Sequence, residues 1–170
     1  MSLINGLPAH VLLVHIVVVL VPLTALALVA AALWPRAAQR LGPLLPFLAL
    51  IALVSVPLTT QAGEWLERHV NNDALVRRHT EMGDGLLPWV LGLFLFAAVV
   101  WWAARSVPAE PVRGGRMRWS APPVRIVVGV LSLAVAVGAV VDVYRIGDSG
   151  AKAAWHDTVS KTATGTDDGS

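Results

Sequence analysis

The chain contains no cysteine and little charge: Asp, Glu, Lys and Arg make up 14% of its 170 residues, against about a quarter in an average soluble domain. Without cysteine there can be no disulfide scaffold, thiolate metal site, CxxCH haem attachment or cysteine nucleophile. Any metal or haem must rely on histidine and oxygen ligands. The deficit of charge is also uneven, since residues 1–35, 41–63, 85–104 and 126–141 contain no Asp, Glu, Lys or Arg. A helix needs roughly 20 residues to cross a bilayer, so runs of this length exclude an ordinary water-soluble globule. HExxH, GxSxG, Walker-type and GxGxxG motifs are all missing, which removes the hydrolase, zincin and nucleotide-binding templates they carry. Nothing supports nucleic-acid binding.

What is present is 56% hydrophobic and reads as an all-α polytopic membrane protein. Four transmembrane helices are expected at about 8–34, 43–66, 82–104 and 124–147, forming one bundle within residues 1–148. Strands that alternate polar and apolar residues, the mark of a membrane barrel, are not evident. A lone open strand pair could not satisfy its own backbone in lipid. The first segment lacks the basic n-region of a secretion signal and its apolar run is too long for one, so it is read as retained.

Basic residues in short loops set orientation. Arg36 and Arg40 fall in the first connection; Arg105, Arg113, Arg116 and Arg118 fall in the third, 105–123, a basic loop interrupted by prolines and glycines. The second connection carries a net negative charge. The first and third connections are therefore expected in the cytoplasm, with both termini and the second connection exoplasmic. Residues 149–170 read as a flexible exoplasmic tail. Trp34, Trp101, Trp102 and Trp119 fall at the expected inner ends, and Trp65 and Trp155 at or beyond the outer ends, as interfacial indoles prefer. Only Trp89 lies within a span. Ser132 with Ala136, and Ala134 with Gly138, provide small residues at four-residue spacing, which favours close helix contact.

The five histidines, His10, His15, His69, His79 and His156, all fall at the expected exoplasmic end. Counting helical rise inward from the opposite boundaries places Gln61, Glu64, Asp84, Asp142, Tyr144 and Arg145 near the same level as His15. His10, Glu67, Arg68 and His79 lie farther out. His10 and His15 are about 140° apart around an ideal helix, so they are poorly arranged to share one ion. His10 with His79, from different helices at similar height, is the better pairing for haem b or a transition metal, with His15 in reserve. Glu64, Glu81 and Asp84 are candidate acceptors to orient such imidazoles. Interfacial placement alone is the competing explanation for these histidines. Asp142 ends a charge-free run that begins after Arg125, and an ionisable group within a span is a default functional candidate. A local pair with Arg145, one helical turn onward, would account for it structurally.

Four stretches, LPAHVLLVH at 7–15, TTQAGEWLERH at 59–69, RRHTEMGDGLLPW at 77–89 and VYRIGDSGAKAAW at 143–155, together resemble the bacterial four-helix membrane proteins of domain of unknown function 2231, most closely an actinobacterial branch. His10, His15 and His79 match histidines of that family. Val11 and Ile16-Val17 stand where many relatives have prolines or Phe-Pro. Ile146 stands where many have a further histidine. Fusion of some relatives to Rieske-type or cytochrome c-type modules implies an electron-transfer setting, with such modules as partners.

The resulting expectation is a multi-pass protein of the bacterial cytoplasmic (inner) membrane that binds haem b or a transition metal at its exoplasmic end. His10, His79 and His15 are the candidate ligands, supported by Glu64, Asp84, Asp142 and Arg145. Homo-oligomerisation is compatible with it. A noncatalytic scaffold or accessory subunit is the principal alternative. A small proton- or ion-coupled transporter using Asp142 is a third, although four helices give it little room.

Overall fold

A computed structural model describes residues 3–4, 7–67, 79, 81–105 and 122–164. A short antiparallel pair, β1 (Leu3–Ile4) and β2 (Leu7–Pro8), sets Leu3 opposite Pro8 and Ile4 opposite Leu7. The chain then forms α1 (Ala9–Leu33), α2 (Pro35–Leu41), α3 (Leu44–Glu67), α4 (Leu86–Arg105) and α5 (Pro122–Thr164). Among the described residues, four helices are long and apolar enough to cross a membrane. α1 packs against α3 and α5, α3 against α4, and α4 against α5. This closes a four-helix ring in which sequence neighbours are spatial neighbours.

A shared spacing explains the ring. Buried positions on α1 include Val17, Val21, Thr24, Leu28 and Ala31; those on α3 include Leu45, Ala49, Ala52, Val56 and Thr59; on α4 they are Leu86, Val90, Leu93, Ala97 and Val100. Those on α5 include Ser132, Ala136, Ala139 and Val143. Steps of four and three alternate throughout, the average of 3.5 residues that keeps one seam facing a neighbouring helix. Alanine and serine recur on these seams, and such small side chains let backbones approach where apolar lipid offers no hydrophobic drive to associate. Outside the seams, Leu26, Val19 and Ile126 are 69%, 66% and 65% exposed. An apolar surface of this extent suits acyl chains rather than water.

Close α4–α5 contact depends on two glycines. A Cβ on Gly92 would come within 2.9 Å of Val135 Cγ1, and one on Gly138 would overlap the Trp89 ring. Ser132 and Ala136 are buried as the small-residue spacing suggests, whereas Ala134 faces outward. Trp89 thus has a packing role.

Pro22 and Pro57 lie inside α1 and α3, where each removes one backbone donor. Neither ends its helix. Hydroxyls on these turns bond to their own helices: Thr24 donates to the Leu20 carbonyl at 2.7 Å, Ser55 to Ala52 at 2.8 Å, Thr59 to Ser55 at 2.7 Å and Thr60 to Pro57 at 3.1 Å. Internal acceptors of this kind satisfy polar groups that lipid would leave unpaired.

At the arginine-rich end, extended Trp34 leads into Pro35 at the first turn of α2. Gly42, at φ +49°, closes α2 by donating its N–H to the Ala38 carbonyl at 3.0 Å. Left-handed φ values of this kind favour glycine. α2 carries Arg36 and Arg40 and packs on α1 and α4. The Arg105 guanidinium lies 4.8 Å from the centroid of the Trp101 ring, a cation–π arrangement.

One span carries a local break, and one helix limit differs from the sequence expectation. The expected span at 82–104 is found at Glu81–Arg105, with a local irregularity: residues 81–84 form a helical turn, Gly85 is a turn residue donating to the Met82 carbonyl at 3.1 Å, and α4 begins at Leu86. Helix α5 continues past 147 to Thr164, so residues 149–164 are helical where a flexible tail is expected. Ser149 donates to the Ile146 carbonyl at 2.8 Å and Lys152 bonds Asp148 at 2.7 Å. Ala151, Ala153 and Ala154 then supply strong helix formers. The helix passes Gly147 and Gly150 without a break.

Candidate functional site

The end of the bundle holding the start of α1, the end of α3, the 81–84 turn and the middle of α5 contains a half-open cavity of about 300 Å³. Its apolar walls are mainly valine, Val14, Val17 and Val18 of α1, Val56 of α3 and Val143 of α5, with Leu86 of α4 and Ile146 of α5. Its polar lining comes from Thr59, Thr60 and Glu64 of α3 together with His79, Glu81 and Asp84. Apolar walls with a few convergent polar groups are the usual form of a small-ligand site.

Seam spacing explains how α3 contributes. Val56 and Thr59 lie on its buried seam, and Thr60, Gly63 and Glu64 continue around that face toward the helix end. Gly83 brings the 81–84 turn against Thr60: a Cβ at Gly83 would stand 3.5 Å from Thr60 Cγ2. The turn thereby presents Glu81 and Asp84 at the cavity that Glu64 also lines.

His79 is held by α5. Its Nδ1 lies 2.9 Å from Ser149 Oγ, which in turn donates to the Ile146 carbonyl at 2.8 Å. Its ring covers Gly150, where a Cβ would lie 3.0 Å from Cε1, 3.3 Å from Nδ1 and 3.5 Å from Nε2. The helical extension of α5 therefore forms part of the site. A chain that frayed at 147 could not hold this ring.

The expected residues separate into distinct groups. His79, Glu64 and Asp84 line the cavity, as does Glu81. His15 is exposed and does not line it, whereas its neighbours Val14, Val17 and Val18 do. His10 lies in the first turn of α1, with its side chain outside the described residues. His69 also lies outside them, as does the side chain of His156. Among the described residues, no three His, Asp or Glu groups are already drawn together as a metal-ligand cluster.

Asp142 stands behind this region rather than in its lining. Its Oδ2 lies 3.7 Å from where a Cβ on Gly85 would be, is shielded from solvent, and has no hydrogen-bond partner. Arg145 is exposed and does not hydrogen-bond to that oxygen, although its charge acts on Asp142 through space. The pair that could have explained Asp142 structurally is thus present only as a charge acting at a distance, not as a contact.

Ser149, Gly150 and Thr59 are site residues that composition and depth counting do not single out. Helical spacing contains the missing signal. Positions 142, 146, 149 and 150 share a face of α5, so a continuous helix would carry Ser149 and Gly150 past the second connection.

Over residues 6–163 the sequence matches the family described as predicted membrane protein (DUF2231). The chain belongs to that family. The match takes in all four apolar helices, the cavity-lining residues and nearly all of the α5 extension. For this DUF2231 protein, neither the curated proteins nor the solved structures gave a match.

Proposed function

We propose that this DUF2231 protein is a membrane redox component that binds a first-row transition ion in the cavity at the histidine end of its bundle. The observation that carries the reading is the convergence of His79 with Glu64, Glu81 and Asp84 on one cavity formed by different chain segments. Imidazole and carboxylate together suit iron, manganese and zinc. Bundles commonly build such sites from facing helices. At roughly 30 Å³ per water molecule, a space of about 300 Å³ accommodates an ion with several bound waters. Haem b would need a wider slot and the His10–His79 pairing, so the transition ion is the better fit. With iron, manganese or copper, the centre would exchange single electrons with a Rieske-type or cytochrome partner at the exoplasmic face of the inner membrane.

The test is purification in mild detergent followed by metal analysis and an optical spectrum. The expected result is a bound transition ion lost in His79→Ala and kept in His15→Ala. A metal-free, colourless preparation that does not respond to Fe²⁺, Mn²⁺, Zn²⁺, Cu²⁺ or haem would favour a noncatalytic scaffold instead.

A further inference from the structure

We infer that Ser149 is a positioning residue: it fixes His79 as the Nδ1–H tautomer and so leaves Nε2 as the nitrogen that carries the lone pair. The part of this inference that concerns ligation rests on the metal-binding reading above; the tautomer assignment does not. A serine hydroxyl has one hydrogen to give and lone pairs to receive. Ser149 gives that hydrogen to the Ile146 carbonyl, 2.8 Å away on its own helix. Toward His79 Nδ1, at 2.9 Å, it can then act only as acceptor, so Nδ1 must be the donor. In neutral imidazole the proton on one nitrogen leaves the other as acceptor or ligand, and the hydrogen bond made by the first selects the second.

Gly150 completes the cradle. With the His79 ring 3.0 to 3.5 Å from the position of a Cβ at Gly150, any side chain there would push against the ring or its helix. Ser149 orients the imidazole through its edge, and the bare α-carbon of Gly150 lets it lie against α5. Two adjacent residues of one helix thus set both the proton position and the location of a ring that comes from about 70 residues earlier. Ile146 is part of this relay through its carbonyl, which any side chain would supply.

The decisive experiment uses the full chain in detergent or nanodiscs, metal-free, with ring-¹⁵N histidine and at a pH where imidazoles are neutral. His79→Gln identifies the His79 signals. In the native chain these should show a protonated Nδ1 and an unprotonated Nε2. In Ser149→Ala they should move to a mixture with substantial Nε2–H, and Ser149→Thr should restore the native pattern. Zn²⁺ titration of the same samples should give about ten- to a hundred-fold weaker binding for Ser149→Ala, the range for loss of a ligand-orienting hydrogen bond, with recovery in Ser149→Thr. A native spectrum with the proton on Nε2 would overturn the inference even if no variant folds. An unchanged tautomer in Ser149→Ala would overturn it as well. If the tautomer responds as expected but Zn²⁺ binds to no sample, the assignment of Ser149 stands and the metal-binding reading falls.

Discussion

The indole of Trp89 lies over the α-carbon of Gly138, with no room between α4 and α5 for even a methyl group at that position. An aromatic ring in the first turn of α4, inside a membrane span, is thereby explained as a spacer that fits one glycine on the facing helix. The contact replaces the interfacial role that other tryptophans of the chain are expected to have.

Gly138→Ala should force the Trp89 ring aside and destabilise the bundle by about 1–3 kcal/mol, the usual range for overpacking. Thermal unfolding in detergent measures the loss. Trp89→Leu combined with Gly138→Ala should be less unstable than the sum of the single changes, because residues in contact couple. Strict additivity would mean that the two residues do not share this contact.

Carboxylates at the cavity should act on metal affinity rather than on folding. Glu64→Gln, Glu81→Gln and Asp84→Asn are each expected to weaken Mn²⁺ binding, by roughly ten-fold or more, with little change in unfolding temperature. His15→Ala should leave affinity unchanged, since its side chain does not line the cavity. Equal losses in His15→Ala and Glu64→Gln would count against a site centred on His79.

Asp142 buries an oxygen without a hydrogen-bond partner. Replacing the carboxylate with a neutral amide removes the cost of keeping a desolvated charge. Asp142→Asn should therefore unfold at the same or a higher temperature than the native chain. Arg145→Ala should change stability by no more than about 0.5 kcal/mol, as for a surface position without special contacts. A large, non-additive loss in the double variant would instead reveal a working ion pair.

Because the chain has no cysteine, single introduced cysteines can report topology cleanly. Ala151→Cys on the exposed part of α5 should react with a membrane-impermeant maleimide in intact cells. Gln39→Cys on α2 should react only after the membrane is opened. The opposite pattern would invert the orientation expected from the arginines of the first and third connections.

The four spans were legible because charge is excluded from lipid so strongly that gaps between charged residues mark them directly. The ends were less legible. Within the span Glu81–Arg105, the turn at Gly85 just before α4 was not expected. α5 outlasts its apolar stretch because helix continuation beyond lipid depends on local bonds such as Asp148–Lys152, which hydropathy does not register. At the site, depth counting set Glu64 and Asp84 level with His15 and put His79 one layer farther out, whereas Glu64, Asp84 and His79 line one cavity. Direction around each helix was harder, because a one-residue difference turns a side chain through about 100°. That is how Val14 came to line the cavity while adjacent His15 did not. Ser149 was hidden for a different reason: a hydroxyl matters there only through the two atoms it joins.

The alternating seams also serve as an index for the chemistry. On α3 the packing positions run from Leu45 through Ala49, Ala52 and Val56 to Thr59, and Glu64 follows at a fixed angle from the last of them. Inserting one residue anywhere along that stretch would either break the seam or swing Glu64 about 100° away from the cavity. The helix contacts and the site are thus read from one ruler. Length changes can be tolerated at the connections far more readily than within the spans, and the polar end can diverge only by exchanging residues in place.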